Sequence, residues 1–535
     1  MLSNLKSFLL FLRQPNFVQW FKVLFGLFLI YFAILILHYH YYLITFPYPI
    51  MYREGTMMAT TTLLLHGINP SNFFLEPQYS NLYGITYPLI VLPFASLYGV
   101  TLPVHRAIAA FFILASCAII SLVLNRKKTP LLLNFWAVLT LWASLLYPLT
   151  TTPCVDPAST GLFFMLLTIF IPFFLNYTYI SLFISIIFGI LAFYTKAYFL
   201  LGLPVVTSYL FLFVSKKKSV LFGCCCLIGF MFSVVAMNYF FPSYFDNCFF
   251  VNYNISPQTS MMIVLERQLH KFAQLHIGII IAMLLVLLYA LLRGFWTSKT
   301  TNIKSILRQC LSAVQLRNWE APLIIKQLPL DIYAGIYFAA VLVLCMGKHF
   351  GANMWYFFQL FSPFLMITTA WVTGRFRLWP ILFSFFLIFN LYSLSSDYNY
   401  KYFDKNQTGW LSLEKLVQSN SSIFNSSLIA PLLIKENKEI FEDGAEHFIE
   451  GGHRRGLLAQ LFAEDKRVFA AQTLLFNRVQ NMIIYKKFDL IIIEAGYASN
   501  LIPDSFRNFY KFVGPILVNT PQDRKSFLIT VWKPI

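Results

Sequence analysis

Eleven apolar stretches fix what this chain can become: about 20–43, 104–124, 129–147, 157–175, 178–195, 197–215, 219–240, 275–292, 331–347, 353–373 and 378–396. Each approaches the roughly 20 residues that an α-helix needs to cross a hydrocarbon core. Inside lipid a backbone must satisfy its own polar groups, so stretches of this length predict helices rather than open strands. The composition agrees, since 58% of the 535 residues are apolar and only 12% are charged, too apolar for an ordinary soluble protein. The predicted fold class is a mainly α, polytopic membrane protein. Its N-terminal MLSNLKSFLLFLRQPNFVQWFKVLF runs on as an uncleaved first span behind an interfacial helix.

The stretch at 86–100, TYPLIVLPFASLYGV, is apolar but short and carries two prolines. Whether it spans decides the side of everything after it. Lys and Arg of short loops collect on the cytoplasmic side. If 86–100 is re-entrant or juxtamembrane, 17 basic residues of the first 396 fall inside and six outside. The N-terminus is then cytoplasmic, the first outer loop covers 44–103, and Glu54, Glu76, Asp156, Asp246 and Glu266 all face outward with Lys196, Lys348 and His349. The net charge of +18 is thereby explained by cytoplasmic loops, with no nucleic-acid partner required.

Acids are distributed unevenly: 15 of the 22 lie in 397–535. Shorter apolar runs there, SSLIAPLLI, DLIIIEA and SFLITVW, read as strands, and TLLFNRVQNMIIYKK reads as a helix. The expected organisation is a membrane domain over 1–396 and a small extracytoplasmic α/β domain over 397–535. Asn-x-Ser/Thr triplets begin at Asn406, Asn420 and Asn425.

An ionisable residue at a membrane border is expensive and is a functional candidate by default. Glu54, in YREG, suits a general base that takes a proton from an acceptor hydroxyl, with Arg53 holding it ionised; an Arg53–Glu54 surface pair is the plainer reading. Asp156 precedes Pro157 and reads equally as a helix N-cap or as a site carboxylate. Lys196 fits an anionic headgroup or leaving group, or simply snorkels, and Arg106 has the same two readings. Lys348 and His349 end a span, followed by Asn353, Tyr356 and Gln359 at a spacing that keeps three polar groups near one face. The aromatics of 73–90, Tyr83 and Tyr87 among them, read as an interfacial belt or a sugar platform. No HExxH, GxSxG, GxGxxG or paired Cys/His spacing occurs. Cys224, Cys225 and Cys226 read as small apolar packing residues. A transporter or flippase of lipid-linked intermediates, or a membrane-anchored scaffold, are the competing classes; a transporter favours mid-span acids and repeated halves, and neither is visible.

The run EG, LLHGINP, YSNLYGITYPLIVLP and HRAIAAFFILAS resembles the first outer loop of GT-C glycosyltransferases. The nearest branch is the bacterial family-39-like one, with the protein O-mannosyltransferases and lipid A aminoarabinose transferases. PCVDPASTGLFF, FYTKAYFLLGLP and GKHFGANMWYFFQLFSP match in register. The resemblance implies a GT-C fold in a bacterial plasma membrane and inverting transfer of a sugar from a polyprenyl-phosphate donor to an extracytoplasmic acceptor. Glu54 and Asp156 take the catalytic positions in it. Lys196, Arg106, Lys348 and His349 contact donor phosphate, while Arg53, Tyr83, Tyr87, Asn353, Tyr356 and Gln359 line the substrate. No cofactor is implied; Glu54 stands beside Arg53 where many relatives carry an acidic pair, and Gln359 stands in place of Glu, which leaves a divalent metal without support.

Overall fold

The computed structural model describes residues 15–51, 53–72, 83–147, 155–245, 248, 261–297, 322–323, 328–344, 356–398, 407–426, 428–442, 466–495, 502, 504–519 and 526–535. Every apolar stretch becomes helix: Pro15–Thr45, Leu102–Arg126, Leu131–Leu145, Ala158–Phe174, Tyr179–Phe193, a run over 197–214, Lys216–Phe240, Ile277–Thr297, Leu330–Leu344, a run over 357–374, and the pair Trp379–Leu382 and Ser384–Ser395. Among the described residues four helices are long and apolar enough to cross a membrane alone: Asn16–Thr45, Leu102–Arg126, Ala197–Val214 and Lys216–Phe240. Met261–Leu275 leads into Ile277–Thr297 through a 79° bend at His276. These are the helices of an integral membrane protein.

Packing follows from which faces are apolar and small. The Lys216–Phe240 helix exposes Leu227, Ile228, Phe232 and Tyr239, the lipid-facing arrangement expected of a peripheral span. Cys224 and Cys225 are exposed on this helix and do not pack into the core as expected from their size. At the other extreme, Trp136 is fully buried and donates its indole N–H to the Leu387 carbonyl, tying Leu131–Leu145 to the last span. At one end of the helices Lys127 pairs with Asp331, which also accepts from Thr368 Oγ1 at 3.4 Å.

The debated stretch forms the helix Thr86–Tyr98, 13 residues with Pro93 inside. At 1.5 Å per residue that is about 20 Å, shorter than a hydrocarbon core of about 30 Å. It buries Tyr87, Val91 and Ala95, one face at a spacing of four, and packs against Arg53–Leu65 and Leu102–Arg126.

The C-terminal part holds a five-stranded mixed sheet in the order β2-β1-β3-β5-β4, with β1 Ile423–Asn425, β2 Phe441–Glu442, β3 Leu490–Glu494, β4 Tyr510–Asn519 and β5 Ser526–Pro534. The expected strands at 489–495 and 526–532 are present. SSLIAPLLI forms no strand among its described residues: Pro431 sits in the first turn of the helix Ala430–Lys435, where its missing N–H costs nothing. Asn425 is buried in β1, which removes that triplet as an accessible glycan acceptor. One face of the sheet, with the helices Gln407–Ser419 and Ala430–Lys435, shares a hydrophobic core with the membrane helices, and Ala430–Lys435 packs on Arg53–Leu65; the Lys466–Ile484 helix and the residues Phe424, Ile491 and Tyr510 form a second core.

Candidate functional site

Glu54 opens the Arg53–Leu65 helix and is completely buried. It pairs with Arg106, 52 residues on. Arg106 Nε donates to Oε1 at 2.8 Å and Nη2 to Oε2 at 2.7 Å, a two-pronged contact that suits a planar guanidinium. Ile50 N–H fills a second position on Oε2 at 2.7 Å, and Val155 N–H a second on Oε1 at 3.2 Å. Arg106 spends its other donors on the carbonyls of Leu43, Phe46 and Tyr48. A guanidinium has five N–H donors; all five of Arg106 are taken by protein acceptors, and none remains for a donor phosphate. The phosphate contact expected of Arg106 is thus replaced by a structural one, in which it gathers the end of the first span, the following turn and Glu54.

Asp156 lies one residue beyond Val155, before the Ala158–Phe174 helix. Its Oδ1 accepts from Ala158 N–H at 2.8 Å and from Lys196 Nζ at 2.6 Å. Helix-start contact and ion pair therefore coexist. Two close approaches set this meeting. Gly161 lets the Ala158–Phe174 helix reach the 195–199 turn, where a Cβ would meet Phe199 Cδ2 at 2.2 Å. Gly84 lets the end of the first loop lie on the same turn, where a Cβ would stand 1.9 Å from the Tyr194 carbonyl oxygen. There Gly84 N–H bonds the Thr195 carbonyl and Thr86 N–H the Tyr194 carbonyl, both at 3.0 Å. This backbone pairing places the Tyr83 ring 5.1 Å from Lys196 Nζ.

Further along the same turn, Tyr198 donates to Gln359 Oε1 at 2.5 Å and meets the Tyr356 ring edge-on at 4.9 Å. Lys196, Tyr83, Tyr198 and Tyr356 are all partly exposed, whereas Asp156 and Gln359 are buried. Tyr87, expected to line substrate, is instead fully buried and donates to the His105 carbonyl at 2.8 Å, bracing Thr86–Tyr98 against the next span. The side chain of Arg53, and Glu76, Asp246, Lys348, His349 and Asn353, lie outside the described residues. Glu266 is exposed on the helix Met261–Leu275. Among the described residues no set of three or more His, Cys, Asp or Glu side chains comes together as metal ligands.

Sequence reasoning passed over Tyr198, although it stands two residues after Lys196, and over Tyr48. The latter stacks on Trp410 of the C-terminal part, ring centroids 5.4 Å apart, and donates to Glu414 Oε2 at 3.3 Å. Burial and the Glu414 carboxylate hold the Tyr48 phenol above its ordinary pKa. Nothing in the local sequence marks this pair, whose members lie 366 residues from each other.

No protein-family model matches the chain, and no curated protein does. Among solved structures it is similar to ArnT from Cupriavidus metallidurans bound to undecaprenyl phosphate, at 10% identity and a TM-score of 0.46, covering 94% of this chain and 97% of that one. The apo state of the same ArnT gives 11% identity and a TM-score of 0.40, covering 95% and 97%.

Proposed function

We propose that this chain is a membrane glycosyltransferase of GT-C type. It moves a sugar from a polyprenyl-phosphate donor to an acceptor outside the cytoplasm, with inversion at the anomeric carbon. The observation that carries this reading is the Asp156–Lys196 contact at 2.6 Å, where the Ala158–Phe174 helix, the 195–199 turn and the end of the first loop converge. A carboxylate able to take the acceptor proton and an ammonium able to hold a leaving phosphate stand in one place. The match of PCVDPASTGLFF and FYTKAYFLLGLP to the GT-C pattern supports the same pair.

In this proposal Asp156 is the general base and Lys196 the phosphate ligand. Glu54 acts as a positioning residue, because four hydrogen bonds from Ile50, Arg106 and Val155 already engage both of its carboxylate oxygens. Its bond from Val155 N–H holds the segment that carries Asp156. Tyr83, Tyr198, Tyr356 and Gln359 supply ring faces and an amide suited to a sugar.

The test is transfer by the purified full-length protein in lipid nanodiscs, offered a panel of polyprenyl-phosphate sugars and membrane-derived acceptors. The expected result is release of polyprenyl phosphate from at least one donor, lost in Lys196→Met. A wild type that consumes none of the donors, hydrolytically or by transfer, overturns the proposal.

A further inference from the structure

We infer that Lys196 is a shared cation that pairs with Asp156 at rest and is drawn onto the donor phosphate, and that this exchange releases Asp156 as a base. The inference rests on the proposed function and adds to it an order of events. Lys196 Nζ touches Asp156 Oδ1 at 2.6 Å, with Asp156 fully buried and the lysine side chain 9% exposed. Inverting transfer sets the base and the phosphate ligand on opposite faces of the sugar. Attacking atom and anomeric carbon start about 3–3.5 Å apart, so with the bond to the leaving oxygen the line is longer than the whole Asp–Lys contact. No ring fits between partners at 2.6 Å; the contact has to open before the reaction does.

The neighbouring pair shows why this contact is the one that opens. Arg106 holds Glu54 through two bonds and three carbonyls besides, a rigid fork with no spare donor. Lys196 carries its charge on a flexible four-carbon stem with rotatable donors and keeps some exposure, beside the partly exposed ring of Tyr83. In the transfer step Lys196 keeps its proton throughout. Asp156 takes the proton of the acceptor hydroxyl, the acceptor oxygen bonds the anomeric carbon, and the bond from that carbon to the phosphate oxygen breaks. The electron pair leaves on the phosphate, against Lys196.

If Asp156 and phosphate compete for one ammonium, removing the carboxylate charge strengthens phosphate binding. Binding of polyprenyl phosphate is measured on the full-length protein in nanodiscs for wild type, Asp156→Asn and Lys196→Met. The expected result is at least threefold tighter binding by Asp156→Asn and at least tenfold weaker binding by Lys196→Met. Equal or weaker binding by Asp156→Asn, with wild type binding normally, overturns the exchange and leaves the donor class standing. No binding by wild type overturns both. Should Asp156→Asn fail to fold, a hydrophobic carbodiimide is applied to wild type. Polyprenyl phosphate is expected to raise modification of Asp156 and to lower amine labelling of Lys196, and no change in either contradicts the exchange.

Discussion

The backbone N–H of Val155 donates to Glu54 Oε1 at 3.2 Å, so the carboxylate at the head of one helix steadies the residue directly before Asp156 at the head of another. Through this bond two buried ion pairs, Glu54–Arg106 and Asp156–Lys196, become neighbours. One is saturated and rigid, the other pairs a buried carboxylate with a lysine that keeps some exposure. In the proposed function the first pair holds the site and the second works in it.

Glu54→Gln and Arg106→Met should each destabilise the protein, by about 3–5 kcal/mol, the usual consequence of stranding one member of a buried pair. The double substitution should cost less than the two single ones together, since neither charge is then stranded. Thermal unfolding of the purified protein in detergent measures the cycle. Additive losses would show that the pair is not the source of the effect.

Gly84→Ala should lower transfer at least tenfold, because its methyl group would stand on the Tyr194 carbonyl oxygen and push the first loop off the 195–199 turn. Gly26→Ala, whose nearest neighbour is Leu132 Cδ2 at 3.6 Å, serves as the tolerant control. Equal activities in the two variants would sever the loop pairing from function.

Trp410→Ala should loosen the turn between the first span and Glu54, because Tyr48 stacks on Trp410 while its own carbonyl accepts from Arg106 Nη2 at 2.8 Å. Faster amide hydrogen exchange over 43–54 is the expected readout. Unchanged exchange there would mean that the C-terminal part does not brace the site.

Asp489 accepts from Ser421 N–H and Oγ at 2.8 Å and from Ser422 N–H at 3.0 Å. These bonds, that from the Ser422 backbone foremost, hold its pKa below the ordinary value of 3.8. A depressed carboxylate stabilises the fold above its unfolded pKa, and the contribution fades as pH falls through the folded one. Asp489→Asn should therefore unfold below wild type at pH 7, with the gap closing under strong acid. A gap that persists at pH 2 would contradict the linkage.

Much of the fold was legible because lipid imposes length and polarity on each span. The eleven helical stretches follow from that, whereas reading 86–100 as a short segment that does not span also needed the distribution of Lys and Arg. Asp156 and Lys196 were legible as costly charges at span ends. The role of Arg106 was not, because a sequence shows that a cation is present and not how many acceptors surround it. Tyr48 and Trp410 look like two ordinary aromatics until the C-terminal part docks. The strand expected at 426–434 failed because its apolar run also suits a buried helix, and Pro431 tips it that way.

The central claim is that the working carboxylate is Asp156 and that Glu54 only positions it. Single-turnover transfer from a polyprenyl-phosphate sugar by Asp156→Asn and Glu54→Gln, each compared with wild type at a temperature where all three remain folded, tests it most directly. The account predicts loss of at least a thousandfold in Asp156→Asn, and in folded Glu54→Gln a smaller loss that keeps the wild-type pH profile. Near wild-type transfer by Asp156→Asn, or complete loss in a folded Glu54→Gln, would contradict it.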